Sequence, residues 1–442
     1  MNAEAQHPGE VESVARAARG AALSLALAPT DVKNRALLAV AARLKDRARS
    51  IVLANAEDCA LARELVAQGR LARPLLDRLK LDATKLEEMA EAVRAVARLP
   101  DPCGRVEWRT LLDDGLELTK VTCPLGVVAV IFESRPDVLT QIGALTLKSG
   151  NAVILKGGSE AARTGGALME AISAALAEVP GIPAAAIQTL SDREQVRALL
   201  ACDGLIDLVI PRGSNELVRA IQSSTRIPVL GHAEGICHIY LDESARVETA
   251  VEVVCDAKLQ YPAACNAVET VLVHATAAPA VLPPLLDRLT RASVQIRVCD
   301  RLAALFPDRG LSPATEADWR TEYCGPILSI RMVDSLDEAI DHINTYGSKH
   351  TDAIITEDRA AAERFMDSVD SAGVYHNVST RFADGYRYGF GAEVGISTGK
   401  LHARGPVGLE GLVSYKYKLF GSGQVVATYS GKNARPFKHH RL

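Results

Sequence analysis

Apolar residues recur at three- and four-residue spacing through Val11–Leu27 and again through Val32–Asn55, the period of helices that bury one face. Asp31 precedes the second stretch and is placed to cap it. The first hundred residues therefore read as helical, until Pro100, Pro102 and Gly104 break the pattern. From there the texture alternates. Short apolar runs predict strands at Gly126–Phe132, Asn151–Leu155, Ile187–Leu190 and Ile206–Ile210, with helices over Asp137–Lys148, Glu160–Ala177 and Asp192–Ala201 between them. The alternation resumes with helix Val247–Leu259, strand Val268–His274, helix Pro279–Ala292 and strand Val294–Cys299. Strands Ile327–Val333, Asp352–Thr356 and Ala372–His376 then alternate with helices Leu336–Thr345 and Ala360–Val369.

All-apolar strands separated by helices imply parallel sheets covered on both faces. Two such α/β blocks are expected, joined near Gly231–Ser244. The last thirty residues differ: Leu412–Leu419 and Gln424–Tyr429 predict strands around the turn Gly421–Gly423, with no helix beside them. A terminal ribbon of this kind often pairs with another subunit, so a homo-oligomer is expected.

Composition narrows the class. At 48% hydrophobic residues in 442, the chain has ample apolar surface to bury, which excludes general disorder. The run Gly126–Phe132 is far short of the ~20 residues that span a bilayer, so no transmembrane helix is expected. Fifty basic against 54 acidic side chains give a charge of −4, a poor match for a nucleic-acid backbone. The basic end Lys432, Arg435, Lys438, His439, His440 and Arg441 could touch nucleic acid, but reads first as a frayed, solvated terminus. Nine cysteines without a Cys-x-x-Cys pair point to a reducing, cytoplasmic setting and away from a zinc cage. The N-terminus lacks a secretory profile.

Candidate chemistry is local. The dinucleotide fingerprint is absent from its strand-to-helix turn; Gly389, Gly391 and Gly395 form only a late partial match. No Walker loop or metal-binding motif occurs, so no metal is expected. Lys156, Gly157, Gly158, Ser159 and Glu160 follow one predicted strand and open a helix, where glycines admit a ligand and the helix end favours anions. Pro211, Arg212, Gly213, Ser214 and Asn215 repeat the arrangement after another strand. Two such turns suit a nucleotide, although each could be an ordinary connection. Cys265 lies among Pro262 and small alanines in a loop where a backbone N–H could receive an oxyanion; the alternative is a small buried hydrophobe. Cys59, Cys202, Cys237, Cys255, Cys299 and Cys324 read as packing residues. Ser379, Thr380 and Arg381 concentrate donors suited to a carboxylate or phosphate, unless the arginine is merely solvated.

Several segments together resemble one family. CPLGVVAVIFESRPDVL (123–139), ILKGGSEA (154–161), GHAEGICHIYLD (231–242), QYPAACNAVETVLVH (260–274), HNVSTRFADG (376–385) and GFGAEVGISTGKLHARGPVGLEGL (389–412) resemble the γ-glutamyl phosphate reductases, or glutamate-5-semialdehyde dehydrogenases, of the aldehyde dehydrogenase superfamily. The match covers most of 120–412 in order. The form QYPAACNA looks like the reductase half of the plant-type bifunctional synthase.

The resemblance implies an aldehyde-dehydrogenase-like α/β fold: two doubly wound parallel-sheet domains and a small β oligomerisation ribbon. The expected bounds are 1–235 for the N-terminal helices and the cofactor domain, with a strand near 112–123 joining the ribbon, 236–410 for the catalytic domain, and 411–442 for ribbon and tail. It implies NADPH-dependent reduction of L-glutamyl 5-phosphate to glutamate 5-semialdehyde with release of phosphate, the second step of proline biosynthesis. A separate glutamate 5-kinase would supply the acyl phosphate, and the enzyme would be a cytoplasmic homodimer or homotetramer. Cys265 falls on the nucleophile, with Ser134 and Asn266 beside the reacting carbonyl. Lys156, Gly157, Gly158, Ser159, Gly213, Ser214 and Glu322 fall on the cofactor positions. Arg381, Ser379 and Thr380 would hold the substrate, with Arg135 and Arg404 as helpers. Ser159 replaces the acid with which many NAD-preferring relatives hold the ribose hydroxyls, which favours NADPH, although Glu160 is adjacent. In the stretch Gly231–Gly235, Glu234 does not fall on the water-activating glutamate of ordinary aldehyde dehydrogenases. The alternative reading is a general NAD(P)-dependent aldehyde dehydrogenase with an unusual base; a third is a catalytically silent structural or RNA-binding relative that uses the basic tail.

Overall fold

The structure, a computed structural model, describes residues 6–71, 73–133, 135–231 and 234–442. The chain divides into two units: one holds the chain up to Leu230 with Phe390–Gly395 and Val407–Leu442, the other Gly231–Gly389 and Ile396–Pro406. Residues 411–442 thus fall within the first unit rather than standing apart, because their strands pair with that unit's.

Helices α1 (Gln6–Leu25), α2 (Thr30–Asp46), α3 (Ala48–Ala67), α4 (Arg73–Leu79) and α5 (Ala83–Arg98) open the first unit. The periodic stretch 32–55 is not one helix; it breaks at Arg47, where φ is −96° and ψ is 10°. Asp31 does not cap α2. Pro29 takes the cap position, and Asp31 sits inside the first turn, paired with Arg35.

Strands β1 (Val106–Asp113) and β2 (Leu116–Pro124) form a hairpin about Gly115, whose φ of +67° suits glycine. Then β3 (Val127–Phe132), β4 (Ala152–Lys156), β5 (Ile187–Leu190) and β6 (Leu208–Arg212) make a parallel sheet in the order β5-β4-β3-β6. Helices α6 (Pro136–Lys148), α7 (Ala162–Ala177), α8 (Arg193–Leu200) and α9 (Asn215–Ser224) connect them. Every residue of β3 and β4 is buried, which is why these strands read as unbroken apolar runs. The first strand of this sheet, β3, lies between β4 and β6, so the strand order reverses there. Ligands of open α/β sheets bind beside the carboxyl ends of strands at such a reversal. Those ends carry Glu133, Gly157 and Gly213.

In the second unit, strands β7 (Cys237–Leu241), β8 (Val268–His274), β9 (Gln295–Val298), β10 (Ser312–Pro313), β11 (Ile327–Val333), β12 (Thr351–Ile355) and β13 (Gly373–His376) form a parallel sheet ordered β10-β9-β11-β8-β7-β12-β13. Its helices are α10 (Val247–Leu259), α11 (Ala278–Arg291), α12 (Asp300–Leu305), α13 (Leu336–Tyr346) and α14 (Arg359–Ser368). Side chains alternate between two cores: Ile239, Leu241, Val271 and Val273 enter one, Tyr240 and Leu272 the other. That is the two-faced burial which the strand pattern requires.

Short strands β14 (Ile396–Ser397) and β15 (Gly405–Pro406) pair with each other. Then β16 (Val413–Phe420) and β17 (His440–Arg441) return to the hairpin, giving an antiparallel sheet β16-β2-β1-β17. The expected strand Gln424–Tyr429 does not form. Residues Val426–Tyr429 make a short 3-10 turn instead, since β2 is already the partner of β16 and Tyr429 turns its hydroxyl to the buried Asp113 at 2.9 Å. Nor is the basic end frayed. Arg435 bonds Asp113 at 2.9 Å, Lys438 pairs with Asp114, and the Arg441 guanidinium lies 4.9 Å from the Trp108 ring centre. These three cations are engaged by the chain's own sheet.

Candidate active site

In the first unit β4 delivers Lys156, which is buried and donates from Nζ to the Gly157 carbonyl at 2.6 Å. Gly157 lies flat on Phe132, where a β-carbon would meet the ring at 3.2 Å. A β-carbon on Gly158 would collide with the Glu160 carboxylate, which folds back over the turn. Ser159, exposed, starts the 3-10 turn that leads into α7.

At the end of β6, a β-carbon on Gly213 would lie 2.7 Å from Leu217 and overlap the Glu133 carboxylate. The Ser214 hydroxyl caps α9 by accepting from Leu217 N–H at 3.4 Å, and Ser214 N–H donates to Glu133 Oε2 at 3.1 Å. This helix end attracts anions, as the peptide dipoles dictate, and a protein carboxylate sits there.

A cavity of about 280 Å³ adjoins the Ser159 turn, lined by Asp58, Leu61, Leu65, Arg70 and Leu71 besides Ser159 and Glu160. Asp58 is engaged within the protein, accepting from Thr164 N–H and hydroxyl at 2.8 and 2.7 Å. Arg70 brings a cation, and no sequence pattern announced it: a lone arginine after a helix carries no motif. Arg135 is half-buried at the head of α6. Ser134 lies outside the described residues.

In the second unit Cys265 occupies the loop between α10 and β8 and is partly accessible, whereas Cys237 and Cys255 are buried. Cys324 is exposed rather than packed, on a backbone with φ of +50°. Two backbone turns shape the nucleophile loop: Ala264 N–H to Tyr261 O at 3.1 Å and Ala267 N–H to Ala264 O at 2.9 Å. Gly235 passes flush against it, and the buried Cys237 thiol donates to the Cys265 carbonyl at 3.4 Å. Neither neighbour was singled out as part of a site from the sequence.

A second loop is tied to the first. Asn266 donates from Nδ2 to Ala383 O at 2.8 Å, while its own carbonyl accepts from the Thr380 hydroxyl at 2.7 Å. Arg381, 9% exposed, donates from Nε to Gln260 Oε1 at 2.9 Å. Burial and the nearby Arg387 lower its pKa, and Cys265 is among the charges that oppose this. Thr380 is fully buried and Ser379 nearly so; the Ser379 hydroxyl accepts the Arg381 N–H at 3.3 Å. These two shape the turn that presents Arg381. Arg404 is bonded to Asp370 at 3.0 and 3.2 Å, alongside Lys349 and Lys400. Glu322 is half-buried in the segment after Trp319.

The aldehyde dehydrogenase family profile matches residues 1–303 and 312–400. The chain belongs to the aldehyde dehydrogenase family. It is 56% identical over 422 residues to γ-glutamyl phosphate reductase of Synechococcus sp. (strain JA-3-3Ab), covering 96% of this chain and 92% of that one. With the enzyme of that name from Pelotomaculum thermopropionicum it shares 53% over 433 residues, 98% of both. The crystal structure of the Thermotoga maritima γ-glutamyl phosphate reductase superposes with a TM-score of 0.90 at 40% identity, covering 94% of this chain and 99% of that one. An acetylating aldehyde dehydrogenase of Geobacillus thermoglucosidasius, at 17% identity and a TM-score of 0.67 over 96% of this chain and 99% of that one, shares the fold. Aldehyde dehydrogenases use a nicotinamide cofactor. The turns at the ends of β4 and β6 carry glycines and helix ends suited to its phosphates, for which the Glu160 and Glu133 carboxylates would have to move aside. No helix among the described residues is long and apolar enough to cross a membrane.

Proposed function

We propose that the chain reduces L-glutamyl 5-phosphate to L-glutamate 5-semialdehyde with NADPH, releasing phosphate, as the second step of proline synthesis from glutamate. The observation that carries this is the near-full-length identity to reductases of that name, with Cys265 accessible in a loop tied to a buried arginine.

The Cys265 thiolate attacks the γ-carbonyl and phosphate departs, leaving a thioester. The peptide N–H of Cys265 steadies the tetrahedral oxyanion, aided by Ser134. Asn266, one N–H of whose amide ties the loop to Ala383 O, offers its second N–H as the alternative to Ser134. When bound, the reduced nicotinamide supplies a hydride to the thioester carbon. The resulting thiohemiacetal then expels the Cys265 thiolate and frees the aldehyde. Arg381 holds an anionic end of the substrate, with Ser379 and Thr380 fixing its turn; Arg135 and Arg404 assist.

Lys156 and Ser159 take the adenosine ribose, Gly213 and Ser214 the pyrophosphate, and Glu322 the nicotinamide ribose. Uncharged Ser159, with Arg70 across the same cavity, suits the 2′-phosphate of NADPH. The protein works in the cytoplasm as a homo-oligomer joined through the β16 ribbon, and a separate glutamate 5-kinase feeds it.

Cys265→Ala is the test. The variant should bind NADPH as the parent does, yet lose phosphate-dependent reduction of NADP⁺ by the semialdehyde. Turnover retained in the variant would refute the covalent step. Oxidation by the parent without phosphate or arsenate would make it an ordinary aldehyde dehydrogenase.

A further inference from the structure

Behind the nucleophile loop lies an ion pair with no part in that mechanism. Lys258, in the last turn of α10, places Nζ 2.5 Å from Oε2 of Glu269, the second residue of β8, and both side chains are sealed from solvent. The loop bearing Cys265 runs between them, so the pair ties its two ends together. The other oxygen of Glu269 accepts the Cys324 N–H at 3.4 Å. Lys258 Nζ also stands 6.0 Å from the centre of the Tyr323 ring, whose hydroxyl is held by Asp318 at 2.8 Å and Ser329 at 2.6 Å. Tyr323 and Cys324 directly follow Glu322.

A buried ion pair is a poor source of stability, since apolar side chains of equal volume often serve as well or better. What it supplies is direction: apolar contacts slide, whereas a charged hydrogen bond fixes two atoms at one separation. Here the pair fixes the two ends of the Cys265 loop, and the Cys324 N–H bond joins the segment after Glu322 to the same carboxylate.

We propose that Glu269, through its pair with Lys258, is a positioning residue that sets the Cys265 loop and holds the Glu322 segment in register with it. This rests on the reaction proposed above for its kinetic consequence, but not for its geometry. Burial raises the Glu269 carboxyl and lowers the Lys258 ammonium, as expected for charges kept in place at a cost.

The test is the double variant Lys258→Met/Glu269→Met, uncharged and close in volume, so that neither charge is left buried alone. Should it fail to fold, the isosteric Glu269→Gln takes its place. At an unchanged melting temperature, alkylation of Cys265 by iodoacetamide, read by mass spectrometry without cofactor, should slow. For semialdehyde oxidation kcat should fall about 10²-fold, the loss that a displacement near 1 Å produces, with KM little changed. Parent-like alkylation overturns the proposal, as does a loss of kcat that merely follows a loss of melting temperature. A parent chain without phosphate-dependent turnover would refute the reaction instead, and the alkylation result would still decide the role of the pair.

Discussion

A β-carbon added to Gly235 would overlap the carbonyl oxygen of Cys265 and lie 2.8 Å from its Cα. The obstacle is backbone, which cannot swing aside as a side chain can. The stretch leading into β7 and the loop carrying the sulfur are therefore in contact along their main chains, with the Cys237 thiol bonding the same carbonyl.

Gly235→Ala should force these chains apart. Overpacking of this kind costs about 1–3 kcal/mol, and moving the sulfur should lower kcat about 10²-fold. Chemical denaturation and the phosphate-dependent assay measure the two effects. Parent-like values in both would show that the contact has no consequence.

Asn266→Ala would leave the Ala383 carbonyl without its donor. An unsatisfied buried acceptor costs about 1–3 kcal/mol. Since that bond also steadies the turn bearing Arg381, KM for the anionic substrate should rise while NADPH affinity stays constant. A change confined to NADPH binding would contradict this arrangement.

Arg70→Ala should weaken NADPH but not NADH. A hydrogen bond to a charged group contributes about 1.5–3 kcal/mol, roughly tenfold or more in Kd. Fluorescence titration with each cofactor distinguishes the outcomes; equal losses for both would remove Arg70 from the 2′-phosphate.

Burial raises the Glu269 carboxyl from 4.5 to about 7, against the attraction of Lys258 and the bond from Cys324 N–H, with Glu322 adding repulsion. Between those values the folded chain holds a proton that the unfolded chain has lost, so stability falls as pH rises through the window. Glu269→Gln cannot take up that proton. Its melting temperature should therefore decline less than the parent's from pH 4.5 to 7. Parallel curves would show that Glu269 does not titrate there.

Legibility of the fold followed burial. Val247–Leu259, Val268–His274 and Ile327–Val333 begin and end where the apolar pattern does. Strand β1 was missed because it offers no apolar run: Val106 and Trp108 alternate with Glu107 and Arg109, but most of the strand is at least partly open to solvent and register shifts at Val106/Trp108 and Leu111/Asp113 disturb the pattern. Strand β7 was hidden by Cys237 and His238. The histidine is tolerated inside because Asp352 accepts from its backbone N–H at 2.7 Å and lies 3.0 Å from its ring nitrogen. At the site, the resemblance drew attention to Cys265 and Arg381. It gave no sign that Thr380 points its hydroxyl at Asn266, because a bond between residues 114 positions apart leaves no local trace.

Strand β2 is paired along its length by β16, which the chain reaches only after the whole of the second unit. A nascent polypeptide must therefore carry one naked margin of that hairpin through most of its synthesis, and open strand margins recruit other chains. Renaturation yield should accordingly fall with protein concentration, and a peptide matching Val413–Phe420, added in trans, should compete with correct closure.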